Sequence, residues 1–189
     1  MRRIADRGAI IAGWVGVGMA VTIGVSFLLV IPIEPIVWLL APLSGLMIGY
    51  YANQRSDRRA GPWSRIISNG LYAGVVTAIT FVIFLLAVKA LFFYADNGYR
   101  DASQGGSLTC STGADCVYRR YLETERGSEL AAAGVTDAAS FTQFYWNQQF
   151  QTAGLMLVLC VAGSLVGASM YGATRPKGTP STQIQPGAA

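Results

Sequence analysis

The chain has no histidine, and that absence closes more chemistry than any other feature of its 189 residues. Without imidazole there is no histidine ligand for haem or chlorophyll, no Ser-His nucleophile pair, and no ordinary side chain that titrates near neutrality as a general base. Ser44, ahead of Gly45, and Ser169 therefore read as packing residues. Cysteine is also scarce, with three in all. Cys110 and Cys116 lie close together and Cys160 is alone in an apolar stretch, where it behaves as a small apolar side chain. A structural zinc site needs four ligands, which two cysteines and no histidine do not supply. No glycine-rich phosphate loop occurs. These absences lead us to expect no catalytic residues, no cofactor and no metal, hence not an enzyme.

Charge is the third shortage. Asp, Glu, Lys and Arg make up 13% of the chain against 52% hydrophobic residues, where a soluble domain carries about 25% charged residues. So little polar surface cannot cover a globule in water, and the apolar surplus has to face lipid or a partner. No acid sits in the middle of an apolar run, which argues against a proton-coupled exporter of the small four-helix kind. The net charge of +4 does not signal nucleic acid, because the basic residues lie in short runs flanking apolar segments, where membrane topology explains them. Twelve arginines against two lysines point to a GC-rich bacterial genome and so to a bacterial inner membrane.

What the chain does have is four long apolar stretches, over 8–31, 36–52, 69–94 and 152–173. Each is long enough to cross a hydrocarbon core of about 30 Å at about 1.5 Å per residue. The first follows Arg2, Arg3 and Arg7 like a signal peptide, but it runs well past a signal h-region and reads as a retained span. Pro32 and Pro35 bracket a tight turn that makes the first two spans an antiparallel hairpin. The expectation is an all-α membrane protein: a four-transmembrane-helix bundle over 1–175, with a partly helical extracytoplasmic loop over 95–151 between helices 3 and 4. A disordered cytoplasmic tail over 176–189 follows.

Nine basic residues, Arg2, Arg3, Arg7, Arg55, Arg58, Arg59, Arg65, Arg175 and Lys177, fall on one side of these spans. Four fall on the other, Arg100, Arg119, Arg120 and Arg126, beside seven acids. The positive-inside rule then places both termini in the cytoplasm of a multi-pass cell-membrane protein. Tyr50, Tyr51 and Trp63 are expected at the inner interface, and Phe92, Phe93, Tyr94, Phe144, Tyr145 and Trp146 at the outer one. The basic 53–68 connection is a patch for anionic membrane lipids.

In lipid, small residues let helices pack closely. The first span carries Gly8, Ala12, Gly16, Ala20 and Gly24 at a constant spacing of four, the best-formed packing face in the chain. Shorter versions are Ala41, Gly45 and Gly49, then Gly70, Gly74 and Ala78, then Gly163 and Gly167. Either these faces close the bundle of one chain, or one of them, on the first or fourth span, meets another subunit. Pro42 inside the second span removes a helical hydrogen bond and predicts a kink, with Ser44 or a water meeting the freed carbonyl.

The outer loop is too long for a bare connection. Cys110 and Cys116, around Gly113 on the oxidising side, predict a disulfide. The stretch 117–130 has helical composition, with Val117, Tyr118, Tyr121 and Leu122 on one side, and reads as a helix lying on the membrane or capping the bundle. A further helix starts after Asp137, a good N-cap, with no breaker other than Gly before Ala173. Asn147, Gln148, Gln149 and Gln151 form a polar collar near its outer boundary. Lys89 is the one charge within a span, level with Glu34 in the first hairpin, so a Glu34–Lys89 ion pair stands beside a lone snorkelling lysine.

Four spans with a short first outer loop, a long cysteine-bearing second one and cytoplasmic ends resemble the layout of tetraspanins. The Cys-Cys-Gly signature of that family is missing, so the resemblance is one of architecture. Quinone-linked disulfide oxidoreductases also share four spans and external cysteines, but they relay electrons between two cysteine pairs, one of them Cys-x-x-Cys. The single spaced pair here leaves no relay. The expected function is a non-enzymatic accessory, assembly or structural subunit of a larger membrane complex. It would dock through the outer loop and small-residue helix faces onto a membrane-protein partner or a second copy. The alternatives are a channel or carrier for a neutral or lipidic solute, along hydroxyls at Thr22, Ser26, Thr77 and Thr80, and, less favoured, a thiol-disulfide membrane oxidoreductase.

Overall fold

A computed structural model describes residues 5–30, 34–57, 61–95, 113–123 and 126–174. Their regular structure is helical throughout: α1 Arg7–Gly24, a π-helical continuation Val25–Val30, α2 Glu34–Arg55, α3 Trp63–Tyr94, α4 Ala114–Glu123, α5 Gly127–Ala132 and α6 Ala138–Ala173. Four segments are long and apolar enough to cross a membrane, Arg7–Phe27, Ile36–Arg55, Trp63–Tyr94 and Ala138–Ala173. They pack as an up-down-up-down bundle in which α2 and α3 touch across the middle while α1 and α6 flank them on opposite sides. We call the end where α1 starts and α6 finishes the terminal end, and the other the cap end.

The closest approach in the bundle is between α2 and α6, which run parallel. A methyl group on Gly45 would strike the Cys160 carbonyl, and one on Gly49 the Ser164 carbonyl. From the other side, Gly163 meets the Pro42 carbonyl and Gly167 the Leu46 carbonyl. Four glycines thus interlock backbone against backbone over two turns. Helix α3 joins this seam through Gly70 and Gly74, which face Ala168 and Ser164. The Ser164 hydroxyl donates to the Gly70 carbonyl at 2.7 Å, fully buried. Pro42 sits inside an α2 that runs unbroken from Glu34 to Arg55. The carbonyl it presents to Gly163 belongs to the seam.

The stripe on α1 closes the same bundle. Gly8, Ala12, Gly16, Ala20 and Gly24 are all buried, with Gly8 against Ser56, Gly16 against Thr77 and Gly24 against Phe84. The expected outward docking through small-residue faces on the first and fourth spans is therefore corrected: Gly163, Gly167 and the whole α1 stripe are covered by neighbouring helices. Among the described glycines of the four long helices, Gly18 and Gly154 have nothing nearby.

Boundaries differ from expectation for local reasons. Helix α3 starts at Trp63 because Pro62 is a compatible start: its missing N–H would be unpaired there in any case, and its carbonyl accepts from Arg65 and Ile66. The last stretch of the first span widens into a π-helix at Val25, just after Gly24 is pressed onto the Phe84 ring. No residue type in Val25–Val30 announces this. The turn around Pro32, the Cys110 segment and the tail over 176–189 lie outside the described residues.

The seam yields a test that composition alone would not suggest. Gly163→Val or Gly45→Val must push two backbones apart, and overpacking of this kind costs about 1–3 kcal/mol. Gly154→Val, in the same helix as Gly163, meets open space and should leave the thermal midpoint of the detergent-solubilised protein nearly unchanged, whereas either seam variant lowers it.

Candidate docking surface

Helix α6 outruns its neighbours. The seam register brings Glu34, where α2 begins, level with roughly the fourth turn of α6, so about 14 residues, or about 21 Å, of α6 project beyond α2 at the cap end. The projection starts at Asp137, whose carboxylate accepts the Ser140 N–H at 2.7 Å while the Ser140 hydroxyl accepts the Asp137 N–H, a reciprocal capping box. The helix expected to start after Asp137 runs without a break into the fourth span, from Ala138 to Ala173.

On this projection sit α4 and α5, and what holds them is aromatic. Phe93 at the end of α3 is 1% exposed and Phe141 on α6 is fully buried. The Phe93 ring lies 4.7 Å from Tyr145 and 6.4 Å, stacked, from Phe141. Tyr121 and Tyr118 of α4 reach Phe141 at 5.0 and 5.5 Å. Leu130 and Val135 complete the cluster. Phe93 and Tyr145, expected as interfacial rings, are instead the core of a small folded cap, and Tyr94 and Trp146 stack at its edge.

The helix expected over 117–130 is two pieces, since Gly127 is a poor helix interior residue and begins α5 anew. The described face is also shifted: Cys116 is buried, Val117, Tyr118 and Tyr121 are half-buried, and Leu122 is exposed. Arg119 pairs with Asp115 at 2.9 Å on the outer side. Arg126 spans the break, bonding Glu129 at 3.2 Å and lying 4.5 Å over the Tyr121 ring. Helix α5 ends in a Schellman turn: Gly134 has φ +69, Val135 N–H donates to Leu130 O, and Gly134 N–H donates to Ala131 O. The Leu130 and Val135 side chains of that turn both enter the aromatic core, which ties the end of α5 to the start of α6.

The amides divide. Asn147 and Gln151 are exposed, Gln148 is half-buried and Gln149 is buried. With Gln143, the two exposed amides form a polar flank on α6 that leads to the open Gly154.

The remaining polar residues lie inside the bundle. Asn53, fully buried, donates to Gly49 O at 3.1 Å and Ile66 O at 3.0 Å, bridging α2 to α3. Asn69 accepts from the Asp6 N–H at 3.0 Å and donates to its carboxylate at 2.8 Å, holding the start of α1 on α3. Asn53, Asn69, Ser164 and Tyr171 were not singled out from the sequence. An amide at each end of the basic connection, and a serine beside Ala162 and Gly163, were the signals available.

Three of the hydroxyls expected along a solute path bond to their own backbones. Thr22 is exposed and donates to Gly18 O, Thr77 donates to Ala73 O and Thr80 to Val76 O, each within its own helix. Lys89 is half-buried; the Glu34 side chain lies outside the description, as does Cys110. Cys160 is free and buried among apolar neighbours. Among the described residues no three His, Cys, Asp or Glu side chains come together. Comparison with known proteins finds no matching family model, curated protein or solved structure.

Two outcomes follow for the cap. Phe141→Ala removes its central ring, costs about 3–5 kcal/mol, and makes α4 and α5 protease-sensitive while the seam helices stay protected. The Asp137 carboxyl is held below its ordinary value, first by the Ser140 N–H and then by the Ser140 hydroxyl. Its contribution is therefore present above the ordinary carboxylate pKa of about 3.9 and is lost as pH falls through the lower folded value. Amide exchange in the first turn of α6 should rise on acidification through that window, and this component should be missing in Asp137→Asn.

Proposed function

We propose that this chain is a non-enzymatic integral membrane protein, an accessory or assembly subunit that meets a membrane-protein partner through its cap and the adjoining flank of α6. The carrying observation is the projection of α6 beyond α2 with α4 and α5 folded onto it, a built surface outside the bundle. The membrane reading rests on four long apolar helices with an apolar exterior: Trp14 is 72% exposed, Leu39 and Ile83 63% each, and Val158 58%. Such surface is unfavourable in water and ordinary in lipid. The distribution of arginine supports cytoplasmic termini and an outer cap in a bacterial inner membrane.

The small-residue faces no longer serve as docking surfaces, because the bundle uses them. That leaves the cap and the polar flank Gln143, Asn147 and Gln151, running down to Gly154. Along such a flank amides can bond across an interface and the open glycine admits a partner helix closely. A Cys110–Cys116 disulfide, which would stabilise the start of α4 by about 2 kcal/mol in the chain-entropy model, completes the proposal. Support for it comes from the burial of Cys116 at 3% exposure.

Purification of the tagged chain from crosslinked membranes is expected to bring down a stoichiometric membrane-protein partner. Asn147→Arg with Gln151→Arg should abolish that recovery without changing the thermal midpoint. Recovery that survives both substitutions, or solute flux by the chain alone in liposomes, would sink the reading. For topology, an impermeant thiol reagent should label Ser128→Cys on intact cells, and Asp57→Cys only after lysis. Mass spectrometry of the unreduced peptides tests the disulfide.

A further inference from the structure

The buried side chains of the bundle are not evenly mixed. In the middle of the bundle the core is apolar, built from Val37, Ala41, Phe81, Leu85, Val88 and Met156, with the buried amide of Gln149 beyond it toward the cap. Toward the terminal end it carries Asn53, Asn69, Thr77, Ser164 and Tyr171. Two of the polar atoms there, Asn53 Oδ1 and Tyr171 Oη, are buried and have no hydrogen-bond partner among the described residues.

Neither atom is placed by accident. Both Asn53 bonds run from Nδ2, to Gly49 O and Ile66 O. Exchanging the two amide atoms would set an oxygen against two carbonyl oxygens, so the assignment is fixed and Oδ1 is directed away from that pair. The Tyr171 ring stands edge-on to Tyr50 at 5.3 Å, one turn before Asn53 on α2, which puts both residues in the same layer of the bundle. Buried polar atoms of this kind are ordinarily met by ordered water.

We propose that the terminal half of the bundle encloses bound water, held between α2, α3 and α6 at Asn53 and Tyr171, and that the apolar core around Val37, Phe81 and Met156 is dry. The chemistry of the pair selects the guest. Asn53 Oδ1 accepts only, while Tyr171 Oη both donates and accepts, and water answers both. A metal cation needs several oxygen ligands and compensating charge, and of the described acids at this end Asp57 is exposed and Asp6 is already bonded to Asn69 through both its N–H and its carboxylate. The inference does not depend on the docking role of the cap. It makes the bundle wet at its terminal end and dry through its apolar middle.

Two measurements on the full chain test it. Tyr171→Phe keeps the ring and its contact with Tyr50 and removes only the hydroxyl. If water is bound there, a hydrogen bond is lost and the thermal midpoint falls by about 2–4 °C; if the hydroxyl is dry and unpartnered, its removal leaves the midpoint unchanged or raises it, which overturns the proposal. Radiolytic hydroxyl-radical labelling is expected to oxidise Tyr171 despite its burial, because the radicals form from bound water, and to spare Met156, the intrinsically more reactive residue in the apolar core. No labelling of Tyr171, or equal labelling of Met156, also overturns it.

Discussion

The rest of this structure depends on the contact of two helix backbones, α2 and α6, across four glycines. In the membrane environment we propose, apolar side chains gain little by leaving lipid for a neighbouring helix, so association has to come from close van der Waals packing and interhelical hydrogen bonds. Gly45, Gly49, Gly163 and Gly167 remove the side chains that would hold the backbones apart. Once α6 is locked to α2 in that register, Ser164 is positioned to bond the Gly70 carbonyl and α3 is drawn in. Helix α1 then fills the remaining groove with its own small residues.

The same register decides what lies outside the bundle. Because α6 is 36 residues long and α2 is 22, fixing them side by side leaves the start of α6 without a helical neighbour along much of its surface. Phe93, Phe141 and Tyr145 would otherwise be exposed, and α4 and α5 cover them. The cap is thus a consequence of a length mismatch resolved by aromatic burial. The bridge from Asn53 to Ile66 and the Asn69–Asp6 pair pin the opposite end, where the chain reverses direction and backbone packing alone gives little constraint.

Much of the bundle could be read from the chain because its physical signals are local. Apolar runs of the right length mark four helices, and Asp137 marks the start of the longest. The α1 stripe was legible as a packing face but not as an internal one, since a spacing of four says which residues share a face and nothing about what covers it. The aromatic rings at the cap end misled for a similar reason. Phe93 and Tyr145 carry the composition of an interfacial belt, yet their burial depends on α4 and α5 returning from far along the chain. The buried polar layer was the least visible part, because Asn53 and Asn69 look like ordinary residues flanking a basic connection.

The amino-acid sequence by itself determined that the described chain is helical, that four of its helices are apolar enough for a membrane, and that histidine-based chemistry is absent. These follow from composition and from periodicities of a few residues. Only the tertiary structure decided which glycines meet a neighbouring backbone, which polar atoms are buried, and that α4 and α5 fold onto the projecting start of α6. Those properties belong to pairs of residues far apart in sequence, such as Gly70 and Ser164 or Phe93 and Phe141, and they do not exist until helix packing brings the two members together.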